Sequence, residues 1–139
     1  MTAQEITDQL QRIASADDFP ARSAELTQAW SSAAVGLETV EPIMRFMEGH
    51  PATDFGAPGP LVHFVERFYR KGYEEKLVES VQRKPTSLTV WMLNRIINGT
   101  QASDVKQQLV ATLERVRLNP LADQDAIQRA NHFLERLSR

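Results

Sequence analysis

Apolar residues recur at intervals of three and four along almost the whole chain, and no stretch alternates with a clean period of two between turns. Residues three and four apart share a face of an α-helix, so the pattern predicts helices throughout. Ile6, Leu10 and Ile13 mark a first helix over about residues 3–15. Asp17-Asp18-Phe19-Pro20 closes it and opens a second over about 20–34, with Leu26, Trp30, Ala33 and Ala34 on one side. Pro20 suits a first helical turn, where its missing N–H has no partner to lose. After Gly36, the residues Leu37, Val40, Ile43, Met44 and Met47 mark a third helix over about 38–48. Pro42 is tolerable only in a first turn, which makes Thr39 the expected N-cap.

Residues 50–59 read HPATDFGAPG, and the turn formers Gly56, Pro58 and Gly59 make this the longest expected loop. Pro60 opens a fourth helix running to about Lys71, with Leu61, Phe64, Val65 and Phe68 inside and Gly72 as the C-cap. A fifth spans about 73–83 with Leu77, Val78 and Val81 inward, and Pro85 stops it. Thr86 or Ser87 caps a sixth that carries Leu88, Trp91, Leu93, Ile96 and Ile97 and ends at Asn98-Gly99. On this spacing Trp91 belongs to the core. Ser103 or Asp104 starts a seventh, with Val105, Leu109, Thr112, Leu113 and Val116, which ends at Asn119-Pro120. Asp123 caps an eighth with Ile127, Ala130, Phe133, Leu134 and Leu137. The expected fold is all-α: about eight short helices stacked as antiparallel hairpins in pairs of about 30–40 residues, in the manner of HEAT or armadillo repeats. A compact orthogonal helical bundle is the alternative.

Length and composition narrow the function classes. The 139 residues are expected to form a single helical domain, 1–139. About two-thirds of the extended chain's surface is buried on folding at this size, enough for a core without staples. There is no cysteine, which excludes a disulfide scaffold, a thiol nucleophile and a cysteine-ligated metal. The start, MTAQEITDQL, has neither a basic region nor an apolar one, and no window approaches 18 apolar residues. A cytoplasmic protein without a membrane association is therefore expected. The net charge of −2 conceals an imbalance: residues 1–60 carry nine acids against Arg12, Arg22 and Arg45, and residues 61–139 carry nine acids against thirteen bases. The first part nets −6 and the second +4. An acidic part suits a basic partner, whereas a near-neutral total argues against a nucleic-acid binder.

Candidate chemistry is sparse. His50, His63 and His132 are the only imidazoles, and His63 with Glu66 is a lone His-x-x-Glu pair that no second pair completes. No serine sits in a Gly-x-Ser-x-Gly elbow. The Gly56–Gly59 loop precedes a helix but lacks a phosphate loop's lysine and hydroxyl, and Pro58 and Pro60 remove two amide donors. Glu74-Glu75 and Asp17-Asp18 are acids of a first turn or cap, where the helix dipole favours them. No enzyme activity, metal, cofactor or small-molecule substrate is expected. Tyr69 and Tyr73 flank the basic turn Arg70-Lys71-Gly72, a place for an aromatic binding surface as well as for core packing. Asn94, Arg95 and Asn98 form a polar stripe on the sixth helix.

One segment carries a resemblance. From Phe55 to Thr100 the chain contains Phe55-Gly56-x-Pro58-Gly59-Pro60-Leu61-Val62-His63, then Gly72-Tyr73-Glu74-x-x-Leu77, then Lys84-Pro85-Thr86 and Trp91-Met92-Leu93-Asn94-Arg95. This third of the chain resembles small all-helical immunity proteins of bacterial polymorphic-toxin and contact-dependent growth inhibition systems. The resemblance implies a protein that binds a cognate toxin domain and neutralises it by non-catalytic occlusion. A nuclease toxin would present a basic face, since it must meet phosphates, and the acidic part of this chain would match it. The expected partner contacts are then Asp17, Asp18, Glu38, Glu41, Glu48 and Asp54, together with Tyr69 and Tyr73. A helical-repeat adaptor for an unrelated cellular protein is the competing expectation.

Overall fold

The structure, a computed structural model, describes residues 1–138 and is all-α, with eight α-helices and no strand among the described residues. The helices are α1 (Ala3–Ile13), α2 (Phe19–Ser32), α3 (Val40–Gly49), α4 (Pro60–Glu66), α5 (Tyr73–Arg83), α6 (Ser87–Gly99), α7 (Ser103–Glu114) and α8 (Gln124–Leu137). Tight single turns, Leu37–Thr39 and Arg115–Leu118, precede α3 and follow α7. Among the described residues no helix is long and apolar enough to cross a membrane. The chain divides into two compact units, Met1–Tyr73 and Glu74–Arg139.

In the first unit, α1 and α2 form one hairpin and α3 and α4 another, with α1 laid on α3 and α2 on α4. Stacked hairpins give this contact pattern. The centre is α3, where Val40, Pro42, Ile43, Met44, Phe46, Met47 and Glu48 are all buried and only Arg45 and Gly49 are exposed. Around it lie Ile6 and Leu10 of α1, Phe19 and Trp30 of α2, and Leu61, Val62, Phe64 and Val65 of α4. Trp30 meets the Phe64 ring edge-on at 5.5 Å and donates its indole N–H to the Gln9 side-chain oxygen at 2.7 Å. Thr39 takes the N-cap position of α3, and Pro42 falls in its first turn; the Thr39 hydroxyl donates to the Gly36 carbonyl instead of capping.

Two boundaries differ from the sequence reading. Helix α2 stops at Ser32, and Ala34 takes a positive φ of 55° that no helix allows. Helix α4 stops at Glu66, not Lys71, and the chain turns through Arg70 (φ 64°) and Gly72 (φ 115°) into α5. Phe68 keeps the apolar spacing and still packs edge-on against Phe64 at 5.8 Å, so side-chain periodicity outlasts the helix.

In the second unit, α6 packs chiefly on α8, and α7 lies against both. The core comprises Leu77 and Val81 of α5, Val90, Met92, Leu93, Ile96 and Ile97 of α6, Leu109 and Leu113 of α7, and Ala126 and Ala130 of α8. Thr86 and Thr89 form a capping box at the start of α6, each accepting from the other's backbone N–H. Asn119 clasps the turn between α7 and α8 to the end of α5: its side-chain N–H donates to the Gln82 carbonyl at 2.9 Å, and its side-chain oxygen accepts from Leu121 N at 2.8 Å.

Trp91 is the main correction to the expected core. It is only half-buried, as is Leu88, while Thr89 and Val90 take the inward positions. Apolar residues run almost unbroken from Leu88 to Leu93, so spacing alone does not select the inward phase. The buried capping box, with both threonines inside, accompanies the rotation that turns Trp91 outward.

Candidate functional site

The aromatic rings of the first unit decide where its acids stand. Phe19, just after Asp18, stacks on Phe46 at 5.7 Å and meets Phe55, just after Asp54, edge-on at 5.3 Å. Phe46 also meets Phe55 at 6.0 Å and stacks on the His50 ring at 4.0 Å. The cluster draws the α1–α2 turn and the α3–α4 loop to one end of the unit. Asp17, Asp18 and Asp54 are all exposed there. Asp18 pairs with Arg22 across one helical turn at 3.4 Å, and Asp54 accepts from Gly56 N at 3.0 Å, which holds the loop's first bend.

Glu38 and Glu41 stand apart from that group. They flank the first turn of α3, whereas the loop that carries Asp54 follows its last. Glu38 is exposed, and its own backbone N–H and that of Gly36 hold its carboxyl below the usual glutamate range. Glu41 pairs with Arg45 at 3.8 Å. The Tyr69–Gly72 turn lies at this second end, because Gly72 packs against Leu37: a Cβ on Gly72 would meet Leu37 Cδ2 at 3.2 Å. Tyr69 is 37% exposed, with the Arg70 guanidinium 5.7 Å from its ring centre.

Two expected contact residues are not at the surface. Glu48 is 7% exposed, because the buried girth of α3 takes in the position after Met47. Tyr73 is 1% exposed, because it stands four residues before Leu77 on the inward face of α5. A rigid partner reaches neither.

The second unit has a face that the charge pattern alone misses. On α6, Trp91 is half-buried with the Arg95 guanidinium 5.0 Å from its ring centre. Asn94 and Asn98 line a cavity of about 210 Å³ with Phe133, Arg136 and Leu137 of α8. The signal in the sequence was the spacing of the polar stripe itself. Two other concavities are shallower in chemistry. One of about 300 Å³ lies between α5 and α7, with Val78, Val105 and Leu109 on its walls. The other, about 250 Å³, lies between α2 and α4, where Arg67 donates to the Ser31 hydroxyl at 2.6 Å.

His63 lies 4.0 Å from Glu66 and is exposed, and no group of three potential ligands is poised for a metal among the described residues. The arrangement can present charged and aromatic groups on rigid supports, which is the chemistry of binding. Comparison with known protein families, characterised proteins and solved structures finds no match for this chain.

Proposed function

We propose that the protein is an immunity protein of a bacterial toxin system, one that binds and neutralises a cognate toxin domain in the cytoplasm by non-catalytic occlusion. The observation that carries this reading is the acidic end of the first unit. There Asp17, Asp18 and Asp54 are exposed on two loops that the Phe19–Phe46–Phe55 cluster holds together. Rigid display of like charges steers a basic partner and lowers the cost of ordering the interface. The Phe55–Thr100 segment supplies the resemblance to immunity proteins, and a nuclease toxin supplies the basic face that such an end would meet.

The test is co-expression with a candidate toxin domain from the neighbouring genes, scored by growth rescue and co-purification. Rescue with a stable complex is the expected result; a toxin that kills despite folded, abundant protein refutes the proposal. Within a confirmed complex, the variant Asp17→Lys, Asp18→Lys, Asp54→Lys is expected to associate on the order of tenfold more slowly at low salt, with a flatter salt dependence. Unchanged association by a folded variant places the interface elsewhere.

A further inference from the structure

Trp91, Asn94, Arg95 and Asn98 stand at i, i+3, i+4 and i+7 of α6, so they share one stripe. From α8, Phe133 and Arg136 close the cavity that the two asparagines open. At about 210 Å³ it lies below the usual range of small-molecule pockets, roughly 300–1,000 Å³. It is large enough for a length of peptide backbone, since one water occupies ~30 Å³.

The chemistry selects the occupant. Each carboxamide offers both a donor and an acceptor, and so does each peptide group. Asn94 and Asn98 are four residues apart on a helix, a rise of about 6 Å. Alternate residues of an extended chain repeat every ~6.6 Å. Two carboxamides at this spacing match successive like-facing peptide groups of a segment running along α6. The Arg95 guanidinium stands over the Trp91 ring, 5.0 Å from its centre, and Arg136 adds a second guanidinium beside the cavity. Helix α6 carries no acidic side chain, and the second unit has ten basic residues against eight acidic. Tryptophan and arginine are also the residues that most often dominate interface energetics.

We infer that the α6–α8 face is a docking surface for an extended acidic segment of a partner protein, its peptide groups held by Asn94 and Asn98 and its carboxylates by Arg95 and Arg136. This surface is distinct from the acidic end and does not depend on the immunity reading. Single-stranded nucleic acid is the less suited occupant: it needs an open ring face for base stacking, and Arg95 covers that of Trp91.

The experiment pans a displayed library of random twelve-residue peptides on the full-length protein and titrates the enriched peptides, fluorescently labelled, by anisotropy. Acidic peptides are expected to be enriched, and the variants Asn94→Ala/Asn98→Ala and Arg95→Glu/Arg136→Glu are each expected to weaken them tenfold or more. These side chains are at or near the surface, and melting curves matching the wild type establish that the variants fold. Binding is also expected to shift the emission of Trp91 to shorter wavelength; Trp30, the only other tryptophan, is buried and unaffected. No enrichment, enrichment of basic peptides, or acidic peptides bound equally by the asparagine variant overturns the inference. So does tighter binding of a labelled twelve-nucleotide oligothymidine that is lost in Arg95→Glu/Arg136→Glu.

Discussion

Replacing each tryptophan by alanine in turn separates the two environments that the sequence spacing makes look alike. Trp30 is 1% exposed, packs on Phe64 and donates to Gln9, whereas Trp91 is half-buried under Arg95. A buried tryptophan removes on the order of 150–250 Å² from water, worth ~4–6 kcal/mol at ~25 cal/mol per Å². The alanine Cβ keeps part of this and the cavity relaxes in part, so Trp30→Ala is expected to cost about 3–5 kcal/mol. The orphaned Gln9 oxygen adds little, because Gln9 is half-buried and water reaches it. Trp91→Ala loses the smaller burial of a half-buried ring and a cation–π contact of ~0.5–1 kcal/mol, part of it restored by solvation of Arg95, for about 2–3 kcal/mol in all. Urea unfolding followed by circular dichroism reads both as midpoint shifts, provided the slope is unchanged. A Trp30→Ala cost equal to or below that of Trp91→Ala refutes the packing assigned to α2 and α6.

Three further outcomes are expected. Gly59→Ala forces a side chain onto a φ of 101° and into the Phe55 carbonyl oxygen, so it is expected to cost more than the ~1–3 kcal/mol of backbone strain alone; a urea midpoint within error of wild type contradicts the loop geometry. Thr86→Ala dismantles the buried capping box and is expected to cost about 0.5–2 kcal/mol, with Thr86→Ser recovering most of it in the same assay. Glu38 titrates below the ordinary value of 4.5, chiefly through its own backbone N–H and then that of Gly36. Its ionised form therefore favours the folded chain above that pH, and the contribution disappears as pH falls through the lowered value. Carboxyl NMR is expected to show the depressed midpoint, and Glu38→Gln to lose a small increment of stability at pH 7 that shrinks as pH falls through that midpoint.

Helix positions were legible where one apolar phase dominated. Ile6 and Leu10 are fully buried, and Pro20, Pro42 and Pro60 sit in first turns as their geometry requires. Legibility failed where apolar residues crowd more than one phase, as on α6, where Trp91 and Val90 compete and the threonine cap is the better guide. Glu48 was misplaced for a related reason: α3 is buried on nearly all sides, and a charge pattern presumes a solvated face. Tyr73 belongs to the spacing Tyr73, Leu77, Val81, which marks it as core once the turn before it is set aside. The grouping of Asp17 and Asp18 with Asp54, and the separation of Glu38 and Glu41 from them, depend on contacts between Phe19, Phe46 and Phe55 that are 9 to 36 residues apart in sequence. No local pattern encodes these contacts.

The three-ring cluster also separates what supports the loops from what they present. Phe19, Phe46 and Phe55 are buried, while Asp17, Asp18, Ala52 and Asp54 around them are exposed. Asp54 also holds the bend at Gly56, whereas Asp17 and Ala52 change stability by only about ±0.5 kcal/mol when substituted. Charge at such positions is therefore free to drift, or to reverse, while the backbone that carries it stays in place. Under the proposed function, a lineage of such chains would exchange one partner for another by a few surface changes, none of which has to await a compensating change in the core.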